Sequence, residues 1–423
     1  MPAVKPDSGR KISPARACAL AVLRRVFEQQ AWADRALHGE ARRLRLDQRE
    51  RALAMRLAYG AVQRRATLDH VIETLARRPP ERLEPVVLAA LRLGLYQLVY
   101  AAKVPAHAAV AESVELVKRE SPGGAKLVNA VLRRGAREAP ALVAALGDAT
   151  PAQAALRHSH PQWIAELWWD ALGADAARAL MAAGNEPAEA AVRVNTLRAD
   201  PTELAARLPV ATHPAPGLPE GLVLEAPFDA FASPDWERGS FMPQSRAAMT
   251  VARMLAPEPG ERVLDLCAAP GGKTTHLAAL MRNEGELVAV ERHPGRADAL
   301  RRTAARMGAR VDVRAGDAAA PHEPGRYDRV LVDPPCSDLG TLASRPDARW
   351  RKQPDLPQRL AREQAAILRA GADALRPRGT LVYSTCTISP AENEGVVEAF
   401  VAERADFRVD DLRAELPLWD HAR

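Results

Sequence analysis

One run of thirteen residues constrains this chain more than any other: Val263-Leu264-Asp265-Leu266-Cys267-Ala268-Ala269-Pro270-Gly271-Gly272-Lys273-Thr274-Thr275. A short apolar stretch bounded by Pro and Gly, leading into the helical pattern of His276 to Met281, predicts a buried parallel strand, a tight turn and a helix N-terminus. That is half of a nucleotide-binding βαβ unit. Gly271 and Gly272 let a ligand come close to the backbone, and the first N–H groups of the helix offer it donors. A P-loop would need glycine where Cys267 stands, so the phosphate cradle is incomplete and an NTPase is disfavoured. The G-x-G-x-x-G dinucleotide fingerprint is absent as well. What remains is a nucleotide-like ligand without phosphates.

Carboxylates sharpen that expectation. Strand-like runs at Leu287–Val290, Val311–Val313 and Arg329–Val332 are followed by Glu291, Asp317 and Asp333. Ligands of open α/β sheets bind at the carboxyl ends of the strands, so the three acids converge, with Glu291 where ribose hydroxyls are usually held. A crevice of acids without a phosphate cradle suits S-adenosylmethionine, whose sulfonium and amino groups are positive. Each acid taken alone has a plainer explanation as a cap of the following helix. That explanation weakens for three together.

A chain of 423 residues allows two or three domains. It has no apolar run of membrane-spanning length, and Met1 to Arg16 is basic rather than a signal segment, so a cytoplasmic protein with no membrane partner is expected. Four cysteines without a C-x-x-C pair speak against a disulfide framework or a zinc site; reduced thiols and no metal are expected. Charge is segregated. Residues 1–138 hold 26 Lys+Arg against 14 Asp+Glu, a net of +12, whereas the remainder holds 33 against 39, a net of −6. A basic N-terminal region on a mildly acidic remainder is the footprint of a nucleic-acid partner, with a solvated helical surface in an Arg-rich chain as the alternative.

Residues 14–138 read as helices. Leu20, Leu23 and Phe27 share a face, Asp47 with Glu50 forms a capping box before Leu53 and Leu57, and Leu88, Leu91, Leu95 and Leu98 continue the pattern after Pro85. Arg77-Arg78-Pro79-Pro80, Val104-Pro105 and Ser121-Pro122-Gly123-Gly124 interrupt them. The stretches Leu91 to Leu98, Ala111 to Lys118 and Lys126 to Arg133 resemble the NusB antitermination fold, an RNA-binding helical domain. Lys126, Arg133 and Arg134 are its candidate RNA contacts. Ala139 to Thr150 reads as a linker. From Pro151 to Ser240, a helix at Pro161–Leu172, a strand at Ala191–Asn195, a helix at Pro201–Leu208 and a strand at Leu222–Leu224 make a small α/β module. Arg193 and Asn195 are its candidate RNA contacts, and Trp163, Trp168 and Trp169 are expected in its core rather than as base-stacking platforms.

The chemistry lies in residues 241–423. Asp333-Pro334-Pro335-Cys336-Ser337 follows one strand, and Ser384-Thr385-Cys386-Thr387 follows the strand Thr380–Tyr383. In the usual doubly wound order these strands are neighbours, so Cys336 and Cys386 face one pocket. A strand-end cysteine is ordinarily a small core residue; two at one crevice, with Cys267 in the cofactor loop, point to function. Carbon 5 of a pyrimidine is a poor nucleophile, and a thiolate added at carbon 6 makes it enamine-like. Asp333 can then hydrogen-bond the exocyclic amine and N3 of cytosine, and a second thiol can assist release. Lys273 can lower the pKa of a nearby thiol or simply face solvent.

Leu264 to Thr275, Asp333 to Cys336 with Ser344-Arg345-Pro346-Asp347, and Ser384-Thr385-Cys386 with Pro390, Glu392, Asn393 and Glu394 resemble the RNA 5-methylcytosine methyltransferases of the RsmB/Sun type. With the NusB-like part, the resemblance spans nearly the whole chain. It implies Cys386 as nucleophile, Cys336 as the thiol of product release, and S-adenosyl-L-methionine held by Cys267, Ala268, Ala269, Pro270, Gly271, Gly272, Lys273, Glu291, Asp317 and Asp333. The implied substrate is a cytosine of small-subunit (16S) ribosomal RNA, and the enzyme is expected to be a monomer. DNA cytosine methyltransferases use the Pro-Cys thiol instead, so the Thr-Cys element favours RNA. The expected architecture is multidomain: an all-α NusB-like bundle over residues 1–138, a linker and small α/β RNA-binding module over 139–240, and a Rossmann-like methyltransferase domain over 241–423. Two departures stand out. The family runs beyond a segment like Leu416-Pro417-Leu418-Trp419 to a final Asp-Gly-Phe-Phe strand, so the last strand is expected to be missing here and Phe407–Leu412 to form an unpaired penultimate one. Met242-Pro243-Gln244-Ser245 stands where the family has Gln-Asp. The rival reading is a non-catalytic RNA-binding, antitermination-like protein keeping a methyltransferase-shaped domain; uracil-5 methylation is a third.

Overall fold

Residues 12–226 and 228–412 are described by a computed structural model of the chain. It forms two units, Met1–Ala188 with Gly340–Pro354, and Glu189–Leu339 with Asp355–Arg423.

The first unit is helical: α1 (Pro14–Glu28), α2 (Ala33–Arg43), α3 (Gln48–Gln63), α4 (Arg65–Ala76), α5 (Pro85–Tyr100), α6 (Ala106–Lys118), α7 (Pro122–Ala144), α8 (Pro151–His158), α9 (Gln162–Leu172) and α10 (Ala174–Ala183). α5 is apolar nearly all round, as a central helix must be, and Leu91, Leu93 and Leu95 have no exposed surface. α3 lies so close that a Cβ at Gly60 would fall 2.0 Å from Tyr96 Cζ. Asp47 caps α3 by accepting the N–H of Glu50 at 2.8 Å, but the capping box is only half formed, because Glu50 Oε2 takes the N–H of Ala15 at 2.7 Å instead. Trp168 is buried in this unit, and Trp163 and Trp169 are half-buried.

Domain limits differ from those the sequence suggests. The 138/139 boundary falls inside α7, since Ala139 packs fully into the core and keeps the helix going through Pro140. The stretch 139–240 is divided, with α8 to α10 in the first unit and its strands in the second. Residues 340–354, although they follow the Cys336 loop in sequence, are part of the first unit. There Arg349, with no exposed surface, donates to the carbonyls of Ser159 and Gly184 and to Asn185 Oδ1 at 2.8–3.0 Å, and Trp350 Nε1 donates to the Val62 carbonyl at 2.7 Å.

The second unit holds two sheets. The smaller joins β1 (Ala191–Val194), β2 (Thr212–Ala215), β3 (Leu218–Leu224) and β4 (Phe241–Pro243) in the order β2-β3-β1-β4, all antiparallel, with α11 (Pro201–Arg207) and a short α12 (Pro234–Glu237) beside it. β4 lies beyond residue 240 and still pairs with β1, so the small module extends further than expected. The larger sheet is parallel, in the order β7-β6-β5-β8-β9: β5 (Arg262–Leu266), β6 (Glu286–Glu291), β7 (Asp312–Ala315), β8 (Tyr327–Val332) and β9 (Leu375–Tyr383). Helices α13 (Arg246–Leu255), α14 (Gly272–Leu280), α15 (Pro294–Met307), α16 (Leu356–Ala374) and α17 (Glu394–Glu403) accompany it. The alternation of strand and helix is that of a doubly wound sheet, whose strands, buried on both faces, read as apolar runs.

Phe407–Leu412 forms no strand; Phe407 meets Phe400 edge to face, with centroids 5.1 Å apart, and among the described residues β9 is the edge of the sheet. The Leu416–Trp419 segment lies outside the described residues. No described helix is long and apolar enough to cross a membrane.

Candidate active site

The loop after β5 is shaped by one glycine. Gly271 has φ of +101°, and a Cβ there would meet Leu300 Cδ1 at 2.6 Å, so both backbone and packing require glycine. A Cβ at Gly272 would meet nothing closer than Gln244 Cδ at 4.0 Å. Thr274 Oγ1 donates to Asp265 Oδ2 at 2.6 Å, and Thr275 Oγ1 donates to the Gly271 carbonyl at 2.7 Å, which closes the first turn of α14. Asp265 is buried on β5 with Oδ1 unpartnered, and burial, strengthened by Asp333, pushes its carboxyl up to about 7.

Arg193 and Asn195 are not where an RNA contact would be. β1 is central in the small sheet and buried along its length, and Arg193, fully buried, donates to Gln244 Oε1 at 2.8 Å, Thr275 Oγ1 at 2.8 Å and the Gly272 carbonyl at 3.3 Å. It braces the start of α14 from behind. Asn195, equally buried, donates to the carbonyls of Gly239 and Met307 at 2.8 and 2.7 Å. The Gln244-Ser245 departure is absorbed locally: Gln244 receives Arg193, and Ser245 Oγ caps α13 by accepting the N–H of Ala248 at 3.3 Å.

Glu291 ends β6 buried, its Oε1 accepting the His293 N–H at 2.9 Å and Oε2 lying 3.6 Å from Arg296. Asp317, beyond β7, is exposed and accepts the N–H of Ala319 at 3.0 Å, a turn-capping bond. Asp333, beyond β8, accepts Lys273 Nζ at 2.6 Å and Ser384 Oγ at 2.8 Å. Lys273 is thus paired with a carboxylate rather than simply facing solvent. Cys267, with φ of +66°, is pushed up to about 12 by burial and by the charges of Asp265, Glu291 and Asp333.

Cys336 and Cys386 meet. β8 and β9 pair in parallel, the N–H of Ser384 extends the ladder to the Val332 carbonyl at 2.9 Å, and the two Sγ atoms come to 3.2 Å. Asp338 Oδ1 lies 3.2 Å from Cys386 Sγ and 3.8 Å from Cys336 Sγ. The hydrogen bond with Cys386 lowers the Cys336 thiol below its ordinary value. The same contact raises Cys386, and desolvation and the Asp338 carboxylate add to the rise. The shared contact thus eases loss of one proton from the pair and hinders loss of the second. Cys386 is exposed and Cys336 half-buried.

Residues that sequence reasoning missed lie just behind. Buried Ser337, Thr387, Glu392 and Gln364 form a hydrogen-bonded cluster with half-buried Tyr383, and Asp338 joins the thiols. Their signal in the sequence is weak: Ser337, Tyr383, Thr387 and Glu392 stand within six residues of Cys336 or Cys386, whereas Gln364 stands 28 residues beyond Cys336. In the first unit, Lys126 and Arg133 are exposed and Arg134 is half-buried, donating to Glu138 and to the Leu75 carbonyl. Arg133 lines a cavity of about 480 Å³ between α6 and α7, with Arg137, Asn129, Val110 and Val114.

Comparison with known proteins agrees in each part. Family models match for 16S rRNA methyltransferase RsmB/F at residues 252–418, for the NusB family at 13–137, and for the RsmF/B-like ferredoxin-like domain at 160–230. The probable ribosomal RNA small subunit methyltransferase B of Bacillus subtilis is 34% identical, covering 96% of this chain and 92% of the relative. Ribosomal RNA small subunit methyltransferase B of Thermus thermophilus is 38% identical, covering 95% and 91%. Among solved structures, PH0851 superposes with a TM-score of 0.78 at 25% identity, covering 94% of this chain and 91% of that one. NSun6 from Pyrococcus horikoshii with SFG gives 0.53 at 25% identity, covering 57% and 87%.

Proposed function

Since the chain belongs to the RsmB/F family of 16S rRNA methyltransferases, we propose that it methylates carbon 5 of a cytosine in small-subunit ribosomal RNA through a covalent Cys386–carbon 6 adduct. The observation that carries this reading is the pair of thiols 3.2 Å apart at the carboxyl ends of adjacent strands, with the Asp333 carboxylate bonded to Ser384, two residues before Cys386. Arg193 and Asn195 are withdrawn as RNA contacts; Lys126, Arg133 and Arg134 on the basic first unit are kept. The protein is read as a monomer.

The residues present fit S-adenosylmethionine. The opening in front of Gly272, the buried and unpartnered Asp265 Oδ1, and the carboxylates of Glu291 and Asp333 at the strand ends on either side of β5 suit a cationic nucleoside. Cys267 to Lys273, Glu291, Asp317 and Asp333 are assigned to hold it; SFG, an analogue of this cofactor, accompanies NSun6. When bound, the cofactor supplies an electrophilic methyl group.

The chain's own part begins with a proton. Cys386 must lose its S–H to attack, and Asp338 Oδ1, 3.2 Å away, is the acceptor, which leaves Cys336 Sγ, at the same distance, available to take a proton later. The Cys386 thiolate then adds to carbon 6, pushing electron density to carbon 5. Asp333, held by Lys273 and Ser384, accepts hydrogen bonds from the exocyclic amine and from N3, which takes up a proton from solvent as the thiolate adds, and so stabilises the adduct. After methyl transfer the carbon 5 proton passes to the Cys336 thiolate, the carbon 5–carbon 6 double bond re-forms as the Cys386 thiolate is expelled, and N3 returns its proton to solvent.

The test is a denaturing gel of Cys336→Ala incubated with unmodified small-subunit RNA and S-adenosylmethionine, beside Cys336→Ala/Cys386→Ala. A slow protein–RNA band in the single variant that vanishes in the double is expected. No band in either, together with no cofactor binding in calorimetry, would favour the non-catalytic RNA-binding reading, and mass analysis of the product separates cytosine from uracil.

A further inference from the structure

Behind the thiol pair lies a carboxylate that the reaction as described leaves unused. Glu392 has no exposed surface. Its Oε1 accepts the backbone N–H of Ser337 at 2.8 Å and Gln364 Nε2 at 3.0 Å, and its Oε2 accepts the Ser337 hydroxyl. Because the single Ser337 proton goes to Glu392, Thr387 is the donor in the 2.6 Å bond between the two hydroxyls. Ser337 adjoins Cys336 in the chain, and Thr387 adjoins Cys386. A relay of three side chains therefore ties the peptide carrying one sulfur to the peptide carrying the other.

The frame around the relay is equally complete. Gln364, from α16, also donates to the Pro335 carbonyl at 2.9 Å and accepts Tyr383 OH at 3.1 Å, while the same phenol hydroxyl reaches the Glu392 carbonyl at 2.6 Å. Thr385 and Asn393 bond at 2.6 Å, and Asn393 Nδ2 returns to the Thr387 carbonyl at 3.2 Å. Burying a carboxylate is costly unless its lone pairs are filled. Here three neutral donors fill them, and no Lys, Arg or His is bonded to Glu392 among the described residues. Fully satisfied polar networks of this kind rigidify what they join.

We propose that Glu392 is a positioning residue for the thiol pair: through Ser337 and Thr387 it holds the two sulfur-bearing loops in one register, so that Cys386 meets the base with Cys336 in reach. The inference rests on the reading of Cys386 as nucleophile and Cys336 as release thiol. Registration of this kind matters because a misplacement near 1 Å can cost about 100-fold in rate.

The experiment uses the full chain and the Glu392→Gln variant, which keeps the volume but sets an amide N–H₂ against donors. Iodoacetamide alkylation of Cys336 and Cys386 is followed against pH by peptide mass mapping, and RNA adduct formation is timed in the Cys336→Ala background. The parent is expected to alkylate in two separated steps. In Glu392→Gln the two profiles should converge toward the ordinary cysteine value near 8.5, and adduct formation should slow by about 100-fold with cofactor affinity kept. Ser337→Ala and Thr387→Val should move both readouts the same way, and they decide the matter if Glu392→Gln does not fold. The proposal is overturned if these variants keep the two-step profile, or if adduct formation falls only in proportion to the unfolded fraction. A parental Cys336→Ala that forms no adduct would sink the covalent reading itself, while the alkylation profiles still judge the brace.

Discussion

Three of the four cysteines follow strands of one parallel sheet, yet two environments at its edge give them opposite chemistry. Beyond β5, Cys267 faces Asp265, Glu291 and Asp333, and burial plus that negative field make its thiolate hard to form. Beyond β8 and β9, Cys336 and Cys386 face one another, and a shared hydrogen bond makes the first ionisation easy. The acids that suit a cationic cofactor are thus the ones that silence the nearest thiol. The proposed nucleophile, Cys386, lies two strands away, where a partner sulfur supplies what the field denies.

The largest test of that contrast is removal of the nucleophile. Cys386→Ala should lower methylation by on the order of 10⁴-fold or more, the scale of losing a covalent nucleophile. The check is tritium transfer from labelled cofactor to RNA, and residual turnover within tenfold of the parent would break the assignment. Cys336→Ala should come next, lowering turnover by about 10²- to 10⁴-fold as the loss of an acid–base partner does. Its Cys386 should also be alkylated at lower pH than in the parent, because the hydrogen bond that raises this thiol is gone. An alkylation profile unmoved or shifted upward would mean that Asp338 dominates the pair instead.

A milder test concerns Cys267. Alkylation of the parent should modify Cys336 well below the pH at which Cys267 reacts, since the contact with Cys386 lowers the Cys336 thiol and Cys267 ionises only as pH approaches about 12. Loading with S-adenosylmethionine should not bring Cys267 forward. Early modification of Cys267 at neutral pH, seen by mass mapping, would show that the acids do not govern it.

How much of this is readable from the chain depends on whether the cause is local. The β5–α14 unit is legible because an apolar run meeting Gly271-Gly272 leaves few other folds, and the thiol pair is legible because two cysteines follow apolar strand runs. Arg193 misleads because a basic residue on a short strand reads as surface, whereas β1 is covered by β3 and β4 on its edges and its guanidinium is taken up by α14. Glu50 misleads in the same way: its spacing from Asp47 is right for a capping box, but a distant N–H at Ala15 outcompetes the local one. The assignment of residues 340–354 to the first unit is likewise a tertiary fact, carried by the buried Arg349 bonds. Glu392 was visible only as part of a motif, since its role lies in partners 55 residues away in sequence.

The smallest expected effect probes the acid side of the comparison through stability alone. Asp265 holds a carboxyl at about 7 in the folded chain, against about 3.9 when unfolded. The folded state therefore binds the proton more tightly. Its contribution to stability is fully present below about pH 4 and is lost as pH rises through about 7. Asn at this position keeps the Thr274 bond and has no proton to lose. The parent should thus lose melting temperature between about pH 5 and pH 8 by roughly 2–4 °C more than Asp265→Asn, in scans without cofactor. Parallel curves would mean that Asp265 is ionised throughout. Its charge would then belong with Glu291 and Asp333 in the field that silences Cys267, and the contrast between the two environments would be steeper than drawn.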